Sequence, residues 1–202
     1  MSQLAQQELL EVPPARRIIV PTGQSAWWGG DPSTRGCAIG WVTADGRRGV
    51  ATEPFPKMDP MSRLSVIYDG ARGLAQRLSE VADQAPGLIF VEQPSGSGQQ
   101  VNHELEFAVG CIIAGVYDGV RAAGAPAKVE LVVGGHWKLV ACGRGNIKKT
   151  YKEGTKTKYL PLEDYPVMQW ARINGYEGRS WDEADAMAIA ECARRDVALE
   201  QR

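Results

Sequence analysis

Residues 27–52 of this chain, WWGGDPSTRGCAIGWVTADGRRGVAT, contain its clearest signal for a β-sheet. They contain three short runs that are typical of strands: residues 27–31, 37–43 and 47–52. The dipeptide Asp45-Gly46, which separates the last two runs, is a strong signal for a β-hairpin turn. The simplest arrangement is therefore three consecutive antiparallel strands.

A helix and a central strand are expected next along the chain. Apolar residues recur at spacings of three and four from Leu64 to Ala82, and Asp59-Pro60 before them is a typical helix start. This pattern predicts an amphipathic helix. Residues 88–91 are all apolar, which predicts a buried strand.

The second half of the sequence predicts two more helices and one more strand. Apolar periodicity predicts a helix over about 103–123, and alternating apolar residues predict a strand over 129–133. The alanine-rich segment 181–197 predicts a last helix that approaches the sheet closely. Because strand, helix and strand in succession form a parallel crossover, we expect an α/β fold. Its mixed five-stranded sheet has three antiparallel strands, then parallel ones, with helices on both faces.

The composition indicates one compact domain. The chain has 202 residues, of which 44% are hydrophobic and 23% charged. These values are normal for a domain with a sizeable core, and they exclude a wholly disordered or collagen-like chain. Residues 1–26 combine glutamines and prolines, so we expect a flexible N-terminal arm there and a single domain over residues 27–202.

Charge and cysteine content limit the partners and the compartment. With 23 basic and 24 acidic residues the net charge is -1, so any nucleic acid must be bound by a local patch. Four separated cysteines without a Cys-x-x-Cys pair, and only two histidines, argue against structural zinc and favour a reducing cytosol. No apolar stretch is long enough for a membrane span, and residues 1–14 do not read as a leader. We expect a cytoplasmic protein without a membrane partner.

Four carboxylates end or interrupt apolar segments: Asp31, Glu92, Asp182 and Asp185. Taken singly, Asp31 can serve a turn and Asp182 can cap the last helix. Asp182 and Asp185 are three residues apart and share one helix face. Burying several carboxylates is costly unless cations compensate them, and Mg²⁺ prefers oxygen ligands. The set therefore indicates a metal site, and two such ions can drive phosphodiester cleavage.

The motifs around these acids are WGGDPS at 28–33, GCAIGW at 36–41, IFVEQP at 89–94 and DEADAMAIA at 182–190. In order and spacing they resemble the RuvC-type Holliday-junction resolvases of the ribonuclease H-like superfamily, over residues 27–197. The resemblance implies that Asp31, Glu92, Asp182 and Asp185 bind the catalytic Mg²⁺ ions, for which Mn²⁺ can substitute. It also implies a homodimer that cuts branched DNA in recombination and repair.

A basic segment follows the predicted parallel strands. HWK at 136–138 and GRGNIKK at 143–149 are similar to that family's lysine-bearing strand and glycine loop, which makes Lys149 a catalytic candidate and Lys138 its companion. Seven basic residues oppose the single acid Glu153 here: Lys138, Arg144, Lys148, Lys149, Lys152, Lys156 and Lys158. Lys and Arg supply most non-specific nucleic-acid affinity, so the segment predicts a DNA-binding patch. The alternative is a solvated, lysine-rich loop.

Two departures from the family keep other functions open. Ser33 replaces the usual glycine, and the loop after Glu92 contains no aromatic residue. The second departure favours flap, single-strand or RNA–DNA hybrid cleavage by the same fold. A catalytically idle nucleic-acid-binding protein is the alternative from another class. The sequence contains no phosphate-binding loop of the G-x-x-x-x-G-K-[ST] type, so no nucleotide cofactor is expected.

Overall fold

The computed structural model describes residues 26–81, 85–94, 103–125 and 127–200. Five strands of this part form one sheet: β1 (Ala26–Pro32), β2 (Gly36–Thr43), β3 (Arg48–Pro54), β4 (Pro86–Glu92) and β5 (Lys128–Val132). Their order in space is β3-β2-β1-β4-β5, with β1, β2 and β3 antiparallel and β4 and β5 parallel to β1. The predicted mixed sheet is confirmed. The predicted arm lies outside the described residues, except for Ala26, which begins β1.

Helices cover both faces of the sheet, as predicted. One face carries α1 (Pro60–Glu80) and α2 (His103–Ala122), which enclose a core with the side chains of Ile67, Ile112 and Val91. The other face carries α3 (Gly134–Cys142), α4 (Pro166–Ile173) and α5 (Trp181–Glu200). The five sheet strands, α1, α2 and α5 begin and end within three residues of the predicted limits where both are known, whereas α3 and α4 are not predicted. None of the described helices is long and apolar enough to cross a membrane.

The predicted start of α1 is confirmed by its capping geometry. The carboxylate of Asp59 accepts a hydrogen bond of 3.1 Å from the backbone N–H of Ser62, and Pro60 is the first helical residue. A capping carboxylate satisfies a backbone donor that has no partner inside the helix. Proline has no N–H that would need a partner at this position.

Close contact between α5 and the sheet positions the two acids of that helix. Gly29 in β1 and Gly40 in β2 are directly paired in the sheet. A Cβ atom on Gly29 would lie 2.2 Å from the backbone nitrogen of Ala190, and one on Gly40 would lie 2.5 Å from the backbone of Ala186. Real Cβ atoms do not approach so closely, so the helix rests directly on the strand backbones. The close approach predicted from the alanines of this helix is confirmed.

A small hairpin, absent from the sequence prediction, follows α3. It consists of β6 (Thr150–Glu153) and β7 (Lys156–Tyr159), which pair with each other and not with the main sheet. Gly154 adopts φ 60° in the turn, a left-handed conformation that favours glycine. The residues of both strands are mostly exposed, so no apolar alternation marks these strands in the sequence.

Candidate metal centre

Parallel pairing of β1 and β4 brings two of the predicted acids together. Gly30 pairs with Val91, and the next residue of each strand is a carboxylate, Asp31 in β1 and Glu92 in β4. Asp185, in the second turn of α5, completes the group. Oxygen atoms of Asp31, Glu92 and Asp185 all lie within 4.8 Å of one another. The three carboxylates therefore share one site at the edge of the sheet, although they are far apart in sequence.

Lys149 connects this group to Asp182, the fourth predicted acid. The Lys149 Nζ atom lies 2.8 Å from Asp185 Oδ2, 3.3 Å from Asp182 Oδ1 and 3.8 Å from Asp31 Oδ2. The side chain of Asp182 is half-exposed, whereas those of Asp31 and Asp185 are buried. Asp182 thus lies at the solvent side of the cluster.

The electrostatics of the cluster disfavour its charged, metal-free form. Burial and the charge of Asp185 raise the pKa of Asp31 well above its ordinary value, although Lys149 opposes the rise. Burial raises the pKa of Asp185 to about 6, against the opposing effect of Lys149. Burial also disfavours the ammonium of Lys149, but the neighbouring carboxylates outweigh it and raise the pKa of Lys149. One lysine therefore compensates the carboxylates only in part.

The chemistry of the donor set fits a divalent cation. Asp31 Oδ2 is buried and has no hydrogen-bond partner among the described residues, since Lys149 Nζ at 3.8 Å is too distant. Carboxylate oxygens in such a group are the ligands that Mg²⁺ and Mn²⁺ take in proteins. Asp31, Glu92 and Asp185 are thus the residues suited to hold one, with Asp182 beside them.

A second carboxylate on α5, that of Glu191, is buried in surroundings that differ from those of Asp31. Glu191 is fully buried, but it accepts charge-assisted hydrogen bonds from Arg48 at 3.2 Å and from Arg194 and Arg195 at 2.7 Å each. Burial disfavours its charged form, yet these arginines outweigh burial and lower the pKa of Glu191. Glu191 is therefore compensated by the protein itself, in contrast to Asp31.

Two groups that sequence reasoning missed hold the acids in place. The hydroxyl of Tyr165, a buried residue, donates a hydrogen bond of 2.8 Å to Asp185 Oδ1. Burial and the charge of Asp185 raise the pKa of Tyr165, which keeps this donor protonated. The indole N–H of Trp137 donates to Glu92 Oε1 at 3.2 Å. Tyr165 lies in no recognised motif, and the HWK motif at 136–138 indicates Lys138 and not Trp137, so sequence reasoning does not find these roles.

The basic segment does not fold entirely as the sequence predicts. Lys138 is expected on a strand but lies in α3, with its Nζ atom 4.8 Å from the ring centroid of Trp137. The strand prediction is wrong because residues 134–142 are followed by Gly143, which at φ 74° caps a helix rather than a strand. Lys149 ends the expected glycine loop, and the hairpin carries Lys152, Lys156 and Lys158 on exposed strands.

The pH dependence of stability tests the electrostatics of Asp185. In metal-free buffer, we expect wild-type protein to gain stability relative to an Asp185→Asn variant as the pH falls from about 7 to 5. A carboxyl whose pKa is raised by folding binds its proton more tightly in the native state, so protonation stabilises that state. Urea unfolding of both proteins at several pH values measures this difference. A difference that stays constant with pH would contradict the raised pKa.

Comparison with known proteins supports the fold. No family model and no curated protein sequence matches this chain. The Thermus thermophilus RuvC structure is 18% identical with a TM-score of 0.57, over 86% of this chain and 96% of that one. T. thermophilus RuvC in complex with a Holliday junction substrate is 20% identical with the same TM-score, over 86% and 98% of the two chains. The yeast mitochondrial Holliday junction resolvase Ydc2 is 15% identical with a TM-score of 0.53, over 92% and 85%. The chain therefore has the ribonuclease H-like fold of RuvC, and the resemblance seen in its motifs is confirmed at the level of the fold.

Proposed function

We propose that this chain is a metal-dependent endonuclease that resolves branched DNA. The observation that carries the proposal is the cluster of Asp31, Glu92 and Asp185, whose charge Lys149 balances only in part. The cluster lies in a fold shared with RuvC, one structure of which is a complex with a Holliday junction substrate. Support from the fold and support from the site chemistry are independent of each other.

In this proposal Asp31, Glu92, Asp182 and Asp185 hold Mg²⁺, for which Mn²⁺ substitutes. Two such ions bound there would supply the means to activate a water molecule and to stabilise the departing 3′ oxygen of the phosphodiester. Tyr165 orients the Asp185 carboxylate, and Trp137 fixes one oxygen of Glu92. Lys149 places a cation beside the reacting phosphate, where it stabilises the charge that develops in the transition state.

The basic segment beside the cluster forms the proposed DNA interface. Five of its cations make no ion pair with a carboxylate of the described residues: Lys138, Arg144, Lys148, Lys152 and Lys156. Cations without carboxylate partners are available to phosphates, which position nucleic acid without reading its sequence. We also propose a homodimer, because symmetric cutting of two strands needs two sites.

A panel of DNA substrates tests the proposal. Junction, flap, fork, single-strand and RNA–DNA hybrid substrates of equal length are incubated with Mg²⁺ or Mn²⁺ at saturating enzyme. We expect the junction to be cut fastest, in paired symmetric positions. Faster cutting of flap or single-strand DNA would mean that the chain has the alternative activity of the same fold and not junction resolution. Binding without any cleavage under either metal would identify a catalytically idle nucleic-acid-binding protein.

Metal binding has a thermal readout that needs no DNA. We expect millimolar Mn²⁺ or Mg²⁺ to raise the melting temperature, because a ligand that binds only the native state stabilises it by about 2.7 kcal/mol at a hundred times its Kd. An Asp31→Asn, Glu92→Gln double variant should lose this shift. A shift of equal size in the double variant would assign the metal to another place.

The hairpin lysines test the DNA interface separately from the metal. Replacing Lys152, Lys156 and Lys158 with alanine should weaken binding to all duplex-containing DNA alike. The log–log slope of affinity against salt should fall by about 0.9 for each phosphate that is no longer neutralised by a lysine. Fluorescence anisotropy at several salt concentrations measures both quantities. Unchanged affinity with an unchanged slope would mean that the hairpin is a solvated loop.

A further inference from the structure

An exposed tyrosine ring is stacked on a tryptophan at the edge of the candidate metal centre. Tyr159 is the last residue of β7, and its ring lies 5.2 Å from that of Trp181, centroid to centroid, at an interplanar angle of 20°. Trp181 is half-buried and packs against the core beneath α5. Tyr159 nevertheless remains 65% exposed. One face of the tyrosine is therefore supported by the protein, while the other is open to solvent.

Both rings are tied to residues of the metal centre. Tyr159 pairs with Thr150 in the hairpin, and the next N–H along, that of Leu160, donates a hydrogen bond of 2.9 Å to the carbonyl oxygen of Lys149. Trp181 immediately precedes Asp182, whose carboxylate lies 3.3 Å from Lys149 Nζ. The stacked pair is thus held next to the same lysine that contacts the carboxylate cluster.

The two exposed tyrosines of the hairpin lie on its opposite faces. Cross-strand partners share a face, so Tyr159 lies on the face of Thr150 and Lys152. Tyr151 lies on the opposite face with its partner Lys158, and it is 41% exposed. The hairpin therefore carries one exposed tyrosine supported by a second ring and another on its other side, which serves as an internal control.

An open aromatic face beside phosphate-binding cations is what binds single-stranded nucleic acid elsewhere. Nucleobases stack on such rings irrespective of sequence, because every base has a π-face. A base inside a continuous duplex already has both faces covered by its neighbours, whereas at a branch point the stack of bases is interrupted and a base has one face uncovered. If Tyr159 served only to cover Trp181, any apolar side chain of similar size would replace it.

We propose that Tyr159, supported by Trp181, stacks on the uncovered face of a nucleobase at the branch point of the DNA, next to the cleavage site. This inference rests on the proposed function in that it takes DNA as the substrate, but it does not depend on cleavage. In this proposal the hairpin recognises the branch point of the DNA and also contacts its phosphates. The Tyr159 ring binds where the DNA strands separate, and the nearby lysines bind the phosphate backbone.

Binding in EDTA tests the stacking without any cleavage. The probes are a junction and a flap that carry 2-aminopurine at the branch point, and a fully paired duplex of equal length. Wild-type protein should change the 2-aminopurine fluorescence on binding. A Tyr159→Ala variant should bind the branched DNAs about 5- to 150-fold more weakly and leave that fluorescence unchanged. Its affinity for the duplex should stay the same.

Three further variants separate stacking from packing. Tyr159→Phe keeps the ring and should bind as wild type, whereas Tyr159→Leu keeps Trp181 covered but should behave as Tyr159→Ala. Tyr151→Ala removes the exposed tyrosine of the opposite face and should leave the 2-aminopurine fluorescence change unaltered. Melting temperatures establish that each variant is folded. If Tyr159→Leu binds branched DNA as wild type, or if branched and duplex DNA weaken equally, the inference is overturned.

The two proposals fail in different ways. Tyr159-dependent binding of branched DNA by a wild-type protein that cuts nothing would overturn the proposed nuclease function alone. Cleavage of branched DNA without any dependence of binding on Tyr159 would overturn the stacking alone. If Tyr159→Ala does not fold, the wild-type 2-aminopurine signal and the Tyr159→Leu variant decide the question.

Discussion

Replacing Asp31 with Asn, or Glu92 with Gln, is expected to lower the single-turnover rate of DNA cleavage by about a thousandfold or more, which corresponds to about 4 kcal/mol of transition-state stabilisation. Each change removes the charge of a metal ligand while keeping the shape of the side chain. Binding of DNA should remain intact or become tighter, because one negative charge near the phosphate is removed. Rates at saturating enzyme and affinities in EDTA measure the two effects separately.

A matched acid-to-amide change controls for a general loss of charge. Glu163 is exposed in the short 3₁₀ turn at Leu162–Asp164, outside the carboxylate cluster. Glu163→Gln should cut DNA at the wild-type rate. Near-normal cutting by Asp31→Asn or by Glu92→Gln would remove the cluster as the site of cleavage.

Replacing Gly29 with alanine is expected to destabilise the protein by about 3 kcal/mol or more. The added Cβ atom would lie 2.2 Å from the backbone nitrogen of Ala190 and 2.4 Å from the carbonyl oxygen of Ala186, so strand and helix must separate. Backbone atoms cannot move aside as flexible side chains do, which places this change above the usual cost of overpacking. Because α5 also carries Asp185, cleavage should fall together with stability. Urea unfolding measures the change.

The neighbouring glycine is the control for this change. A Cβ atom on Gly30 would meet its nearest neighbour, a methyl group of Val91, at 3.5 Å, an ordinary van der Waals distance. Gly30→Ala should therefore change the free energy of unfolding by less than about 1 kcal/mol. Equal decreases in the two variants would mean that strand flexibility, and not the contact with α5, explains the effect.

Part of the candidate metal centre can be predicted from the sequence, because each of its four acids interrupts a local pattern of apolar residues. Asp31 and Glu92 lie at the carboxyl ends of buried strands, and Asp182 and Asp185 share a face of an alanine-rich helix. Local periodicity singles out those positions, and the structure brings Asp31, Glu92 and Asp185 to one point. The sequence does not show which carboxylate is most buried, nor that Lys149 lies among the carboxylates. Both features depend on distances in space that no local pattern encodes.

The two groups that donate hydrogen bonds to these acids cannot be predicted from the sequence, for a related reason. Tyr165 and Trp137 reach the acids across contacts that span 20 and 45 residues of sequence. The motif predicts a strand for Lys138, but a left-handed Gly143 ends a helix there. Local propensity is weak at such a short segment, and tertiary packing decides its conformation.

Sequence patterns alone predict the five strands of the main sheet and α1, α2 and α5 in their order along the chain, the close approach of α5, and the acids at the ends of the buried strands. These features follow from apolar spacing, turn residues and small side chains, all of which act between near neighbours in the chain. Three features follow only from tertiary contacts: Lys149 lies in the carboxylate cluster, arginines compensate Glu191 but not Asp31, and Tyr159 stacks on Trp181. Electrostatic and stacking interactions act over a few ångströms in space, so their partners are known only once the chain has folded.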